Sequence, residues 1–241
     1  MDSETASLPA ATRRREFLDL CEETTGFGEI EWRTFRDLLV RPRAALEAYL
    51  VHGPTGGRRY SRPFGFYMGL CGVLMFYMFL VGGVKGIIEA QPADALNAWI
   101  ERSGKSRDAF INDAEAWLSL VVTPVIAILN ALFTVPLLKW WSGIDWRRSF
   151  RASYVLMCAW TAPILFIGPA PMIAALAVPA SIFMYGALIV AFLRMGRDLW
   201  FTRWWEGVLK ALLLLGVLGV ASWLGWVPSL YIGLLGGVFG R

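Results

Sequence analysis

Apolar and polar positions divide this chain into a patterned, charge-rich first quarter and a series of long uncharged stretches. In the first quarter, Ile30, Phe35, Leu38 and Leu39 recur at helical spacing, with Arg33, Arg36, Asp37 and Arg41 largely off that stripe. Ala45, Leu46, Tyr49 and Leu50 extend the apolar face as far as Gly53-Pro54-Thr55-Gly56-Gly57. Proline disfavours helix at the residue before it, so Pro42 ends or kinks the first of these helices at Arg41. A shorter helix is expected from Arg13 to about Glu23, ahead of the Thr24-Thr25-Gly26 break. The amphipathic face suits either packing on the protein's own bundle or lying in the plane of a membrane interface.

A membrane-crossing helix takes about 20 predominantly apolar residues, which makes the gaps between charges diagnostic. There are 22 uncharged residues between Arg62 and Lys85, 23 between Glu115 and Lys139, 42 between Arg151 and Arg194, and 30 between Lys210 and Arg241. The longest gap fits two crossings turned at Gly168-Pro169-Ala170-Pro171. Spans are therefore expected at about 64–84, 116–138, 152–168, 171–193 and 207–227. Residues 229–240 follow Trp226-Val227-Pro228, are too few to cross alone, and are expected to be re-entrant or interfacial. Between the first two spans, Pro92 suits one helix start and Ser106 can cap a second, with Leu96, Trp99 and Ile100 on one side of the first. The expected fold is all-α: a polytopic membrane protein of about five transmembrane helices over 63–241, preceded by a cytoplasmic amphipathic helical arm over 1–62.

Composition agrees with lipid as the solvent. The chain is 56% hydrophobic and 17% charged, against about 25% charged in soluble domains. Charge also orients it. With the arm in the cytoplasm, 18 basic residues fall on the cytoplasmic side and 5 on the other, as the positive-inside rule requires. Trp140, Trp141, Trp146, Trp200, Trp204 and Trp205 gather at the arm-side boundary, and Trp117, Trp223 and Trp226 mark the opposite one. The run Arg14-Arg15-Glu16-Phe17-Leu18 looks like a twin-arginine signal, but acids rather than an apolar run follow it, so no cleaved signal peptide is expected.

The inventory for bond-making chemistry is thin. Cys21, Cys71 and Cys158 are isolated and His52 is the one histidine, so no metal site or cofactor is expected. Asp145, Asp198 and Glu206 each have basic neighbours, which points to ion pairing rather than acid–base catalysis, and the expectation is not an enzyme. The basic residues flank apolar runs without forming a patch of interleaved aromatics, which argues against nucleic acid as a partner.

The stretch from Trp32 to Phe64 resembles a bacterial family of multi-pass membrane proteins of unknown function. Its members carry an N-terminal zinc ribbon, then W-R-T, L-L, R-P-G, Y and G-x-R-x-x-Y-x-x-P-F elements in that order, then spans. The matching residues are Trp32, Arg33, Thr34, Leu38, Leu39, Arg41, Pro42, Tyr49, Arg59, Tyr60, Pro63 and Phe64. The match extends loosely to Arg147–Tyr154 and Tyr185–Trp200. Three departures stand out: the zinc-ribbon ligands are missing, a Gly/Pro insertion follows Tyr49, and Arg59 sits directly beside Tyr60. The resemblance implies a membrane protein and little more; with the charge bias and five spans, the expected location is a bacterial cytoplasmic (inner) membrane, N-terminus cytoplasmic and C-terminus periplasmic or extracellular. Its layout is also similar to that of the five-span Yip family.

Two functional readings follow. The first is a membrane-embedded scaffold or assembly factor that engages a membrane-protein partner or a second copy of itself. Close helix approach would use Gly82-x-x-x-Gly86, Gly233-x-x-x-Gly237 and Gly236-x-x-x-Gly240. The alternative is a small uncoupled transporter or scramblase-like lipid-handling protein, with Pro124, Asn130 and Pro136 as the polar or kinked positions of the second span. No acid, arginine or histidine lies deep in a span, which argues against ion coupling. The residues expected to contact anionic lipid headgroups or a partner are Arg41, Pro42, Arg59, Tyr60, Arg62 and Pro63.

Overall fold

A computed structural model describes residues 28–80, 83–168, 170–173 and 175–240. The helix expected at Arg13–Glu23, Cys21 and Gly82 lie outside them. The described residues form nine α-helices: α1 (Glu29–Val40), α2 (Pro42–His52), α3 (Pro63–Leu80), α4 (Gly83–Glu89), α5 (Ala93–Ser103), α6 (Arg107–Ser142), α7 (Trp146–Ile164), α8 (Ala177–Gly196) and α9 (Trp204–Phe239), with one 3-10 turn at Ala170–Met172. Four of these, α3, α6, α8 and α9, are long and apolar enough to cross a membrane.

The expected third span falls on α7, and α7 differs in kind. Its first turns read W-R-R-S-F-R-A-S, and 12 of its 19 residues are buried, among them Ser149, Ser153 and Thr161. Hydroxyls facing lipid would find no partner. Neighbouring helices partner several of its polar groups: Thr134 of α6 and Ser153 bond through their hydroxyls, Tyr154 Oη donates to the Ala127 carbonyl of α6 at 3.3 Å, and Trp160 Nε1 donates to the Met184 carbonyl of α8 at 2.8 Å; Ser149 Oγ is buried without a hydrogen-bond partner among the described residues. α7 is the axis on which α3, α6, α8 and both arm helices pack.

The arm helices lie against this axis. Pro42 opens α2 as its first residue, and the Arg41 N–H closes α1 on the Asp37 carbonyl at 2.7 Å. Ala45, Leu46 and Tyr49 are buried in the main core, while Ile30 and Trp32 remain about half exposed. Of the α1 stripe, Leu38 is buried and Phe35 packs at the core's edge, against Phe166, with ring centroids 5.9 Å apart. Arg194, at the end of α8, donates to the Leu39 and Val40 carbonyls at 2.9 and 2.7 Å. Those are orphan acceptors of the last turn of α1, so a cation there caps the helix.

The other long feature is an antiparallel pair. α6 and α9 each run 36 residues, about 54 Å at 1.5 Å per residue, against a hydrocarbon thickness of about 30 Å. Both are longer than that core is thick. Residues 229–240 do not form a separate re-entrant or interfacial segment; they continue α9, and Pro228 lies inside the helix. One feature that favours this is packing: the segment is held along its length by α6. A Cβ on Gly233 would meet Leu118 Cβ at 2.9 Å, one on Gly237 would meet the Phe110 ring at 2.7 Å, and one on Gly236 would enter the Trp117 indole. The glycine spacing at 233–237 is used inside the chain.

The first turns of α6 and the last turns of α9 share a second core with α4 and α5, built on Val84, Ile88, Leu96, Phe110, Ile111 and Leu234. Ser106 caps α6 by accepting from the Ala109 N–H, and Lys105 bridges Asp113 at 2.5 Å and the Gly237 carbonyl at 3.0 Å, tying the end of α9 to the start of α6.

Of the tryptophans expected at the arm-side boundary, Trp140, Trp146, Trp204 and Trp205 are exposed. Trp200 is not: it is 1% exposed and stacks on Phe192 with centroids 5.0 Å apart. The reason is a chain reversal after α8. Asp198 takes φ 63°, and Gly196 has no Cβ in the space that the Trp200 ring occupies.

Gly233→Leu is expected to lower the thermal midpoint in detergent, since overpacking against the Ala114–Leu118 backbone costs about 1–3 kcal/mol. Gly219→Leu, with open space where its side chain would go, is expected not to lower it. Equal destabilisation by the two would contradict the seam described here.

Candidate functional site

The α6–α7 connection is short because its ends are specified locally. Gly143 takes φ 67° to end α6, and Asp145 caps α7 by accepting from the Arg148 N–H at 2.9 Å. That backbone bond holds the Asp145 carboxyl below the usual carboxylate range. From this start, α7 repeats every four residues in two adjacent stripes: Trp146, Phe150 and Tyr154 on one, Arg147 and Arg151 on the other.

These stripes face α3 and α6 across a groove. At its polar end, a cavity of about 510 Å³ is lined by Pro54, Arg62, Pro63, Phe64, Trp146, Arg147, Phe150, Arg151 and Tyr154. A second cavity of about 610 Å³ shares Phe64, Trp146, Phe150 and Tyr154 and continues along Ile128, Ala131, Leu132, Val135 and Pro136 of α6. The second is lined by apolar and aromatic residues alone. Residues 128–136 rise about 12 Å along α6, which sets the reach of the apolar part. Tyr154, Ala131 and Val135 form a buried floor, while Phe64, Phe150, Ile128 and Leu132 are exposed rims.

Aromatic contacts hold the floor in place. The Tyr154 ring meets Phe150 at 4.9 Å and Phe64 at 5.2 Å between centroids, both edge to face. Pro63 begins α3 beside this cluster, and its carbonyl accepts from Cys158 Sγ at 3.4 Å. Lys139 Nζ lies 5.2 Å over the Trp146 ring and adds positive charge near the same end. Arg148 pairs with Asp145 at 3.4 Å. No carboxylate lines either cavity.

The arm closes one side of the polar end. Arg151 Nη1 donates to the Tyr49 carbonyl near the end of α2 at 3.4 Å. Tyr49 Oη donates to the Ser61 carbonyl at 2.6 Å, and the Ser61 N–H donates to Thr34 Oγ1 at 3.0 Å. This places Arg62, the next residue, at the groove. Burial pushes the Tyr49 hydroxyl well above the usual phenol range.

The expected site residues therefore separate. Arg62, Pro63 and Pro136 come together in the groove. Tyr60 does not join them: it is buried in the arm, its ring 5.4 Å from Tyr49 and its hydroxyl donating to Asp37 Oδ2 at 3.1 Å. Burial and that carboxylate both raise its pKa. Arg41 and Arg59 are exposed, and Pro42 lines a separate cavity of about 340 Å³ between the arm, α7 and α8. Asn130 is buried, with its carbonyl accepting from Thr134 Oγ1 at 2.7 Å, and Pro124 lies inside α6, partly exposed. Arg147, Phe150, Arg151 and Tyr154 were not among the expected residues. Their signal is the four-residue repeat of aromatic beside arginine at the start of α7. Among the described residues no group of histidine, cysteine or acidic side chains is arranged to hold a metal.

Tyr49→Phe leaves the Ser61 carbonyl without its donor, and a loss of about 1–3 kcal/mol in stability is expected, read as a lower denaturation midpoint in detergent. An unchanged midpoint would show that the arm's last turn does not depend on this bond.

Comparison of the chain with protein-family models, with curated proteins and with solved structures finds no match.

Proposed function

We propose that this chain is a multi-pass membrane protein that holds an anionic lipid in the α3–α6–α7 groove, and that lipid handling is its function rather than bond-making chemistry. The observation that carries the reading is one groove with three arginines at its polar end and an unbroken apolar wall beyond it. That arrangement is complementary to an amphiphile with a negative head and a hydrocarbon tail. Three of its exposed rims, Phe64 of α3 and Ile128 and Leu132 of α6, lie on helices whose length and composition suit lipid, so a tail can enter sideways from the bilayer.

The groove shifts weight from the scaffold reading to the lipid-handling one. The glycine spacings that would have served a partner helix at 233–240 are occupied by Phe110, Trp117 and Leu118 of the same chain. We place the protein in a bacterial cytoplasmic membrane with the arm in the cytoplasm, which sets the arginines at the level of cytoplasmic-leaflet headgroups. In this reading α7 serves as the fifth crossing, screened from lipid over most of its surface, and the chain ends on the opposite side. The resemblance of Trp32–Phe64 to a family of membrane proteins agrees with that placement.

The test uses the full chain purified in mild detergent, with native mass spectrometry of retained lipid. Wild type is expected to keep anionic phospholipid over phosphatidylcholine, and Arg62→Gln with Arg147→Gln to lose at least about tenfold of that preference. Raising salt should reduce it as well, since the pairs are partly solvent-screened. Arg148→Gln, whose arginine already pairs with Asp145, is the control and should change little. A preference that survives the double substitution would remove the groove from the reading.

A further inference from the structure

We infer that the groove selects a phosphate monoester headgroup, one phosphate bearing two ionisable oxygens, over the phosphodiester of most anionic lipids. The inference rests on the lipid-binding reading above and concerns which lipid class it serves. Its basis is the amount of uncompensated charge at the polar end. Arg33, Arg36, Arg43 and Arg148 each form an ion pair with a carboxylate. Arg62, Arg147 and Arg151 form none among the described residues, and no acid lines the cavity they share; Arg62 and Arg147 are exposed to solvent, and Asp145, already paired with Arg148, also attracts Arg151. Arg151 makes one long bond to a carbonyl, which leaves most of its donors for a ligand.

A phosphodiester brings one negative charge and two free oxygens. It would leave two of the three guanidinium charges unpaired beside apolar walls. A monoester brings three free oxygens and close to two negative charges above its second ionisation, at a pH of about 6 for alkyl phosphates. Three forked donors around a three-oxygen face satisfy both the charge and the hydrogen bonds. Lys139 above Trp146 adds to the same demand for negative charge. A diphosphatidyl lipid also carries two charges, but spreads them over two phosphates and brings four chains to a single apolar trough.

The experiment uses wild-type protein in nanodiscs of phosphatidylcholine doped in turn with phosphatidic acid, phosphatidylglycerol or diphosphatidylglycerol, with displacement of a bound fluorescent lipid as the readout. Phosphatidic acid is expected to displace at least about tenfold better than phosphatidylglycerol at a pH of about 8, and the ratio should fall on acidification to about 5. The charged groups facing the headgroup are Arg62, Arg147 and Arg151, with Lys139 above Trp146 and Asp145 paired to Arg148 beside them. Equal displacement by phosphatidic acid and phosphatidylglycerol, both above phosphatidylcholine, would overturn the monoester inference and leave the lipid site standing. Stronger displacement by diphosphatidylglycerol than by phosphatidic acid would do the same. No difference among all four lipids would overturn both. Full displacement by soluble glycerol phosphate would keep the monoester specificity and overturn the lipid as its source. Arg62→Gln with Arg147→Gln is expected to bring the ratio to about one; the wild-type series decides the matter even if that variant fails to fold.

Discussion

Covering α7 is the constraint on which the rest of this structure depends. The helix carries serines and a threonine that hydrocarbon cannot solvate, so it needs protein neighbours that pack against it or hydrogen-bond with it. α6 answers Ser153 and Tyr154, α8 answers Trp160, and the start of α3 answers Cys158. The remaining side is closed by α1 and α2, which is why an amphipathic arm folds back on the bundle. Part of its apolar face, Leu38, Ala45, Leu46 and Tyr49, is buried in the main core, and Arg194 holds it there by capping α1.

The groove is what that covering leaves open. Near its N-terminus α7 carries large aromatics, which keep α3 and α6 from closing on each other and make the floor and rims between them. The arginines sit one residue on from those aromatics in the helical repeat, so the same turns that shape the apolar trough also charge its mouth. The polar and apolar parts are thus one consequence of a single amphipathic repeat. The arm adds Arg62 because the Tyr49–Ser61 bond fixes where the chain turns into α3.

Away from the groove, α6 and α9 form a long frame in which glycines let one backbone lie close against the other. Their far ends are finished by α4 and α5, with Lys105 joining both helix ends. The frame presents α6 as a firm wall at the site.

Much of this was legible in the order of residues alone. Uncharged gaps located the helices α3, α6, α8 and α9; Pro42 marked a helix end, and Pro92 and Ser106 helix starts; and Arg62, Pro63 and Pro136 stood among the residues expected to matter. Each of these depends on neighbours in the chain or on exclusion of charge from lipid, both of which are local properties. Tertiary structure alone decided the rest. Whether Pro228 breaks a helix depends on α6 packing beside it, and whether Trp200 faces a membrane or a core depends on the reversal after α8. That Tyr60 turns inward while Arg147 and Arg151 meet Arg62 is a matter of which surfaces come together at long range, and hydrophobic pattern, being a property of one helix at a time, carries no record of its partners.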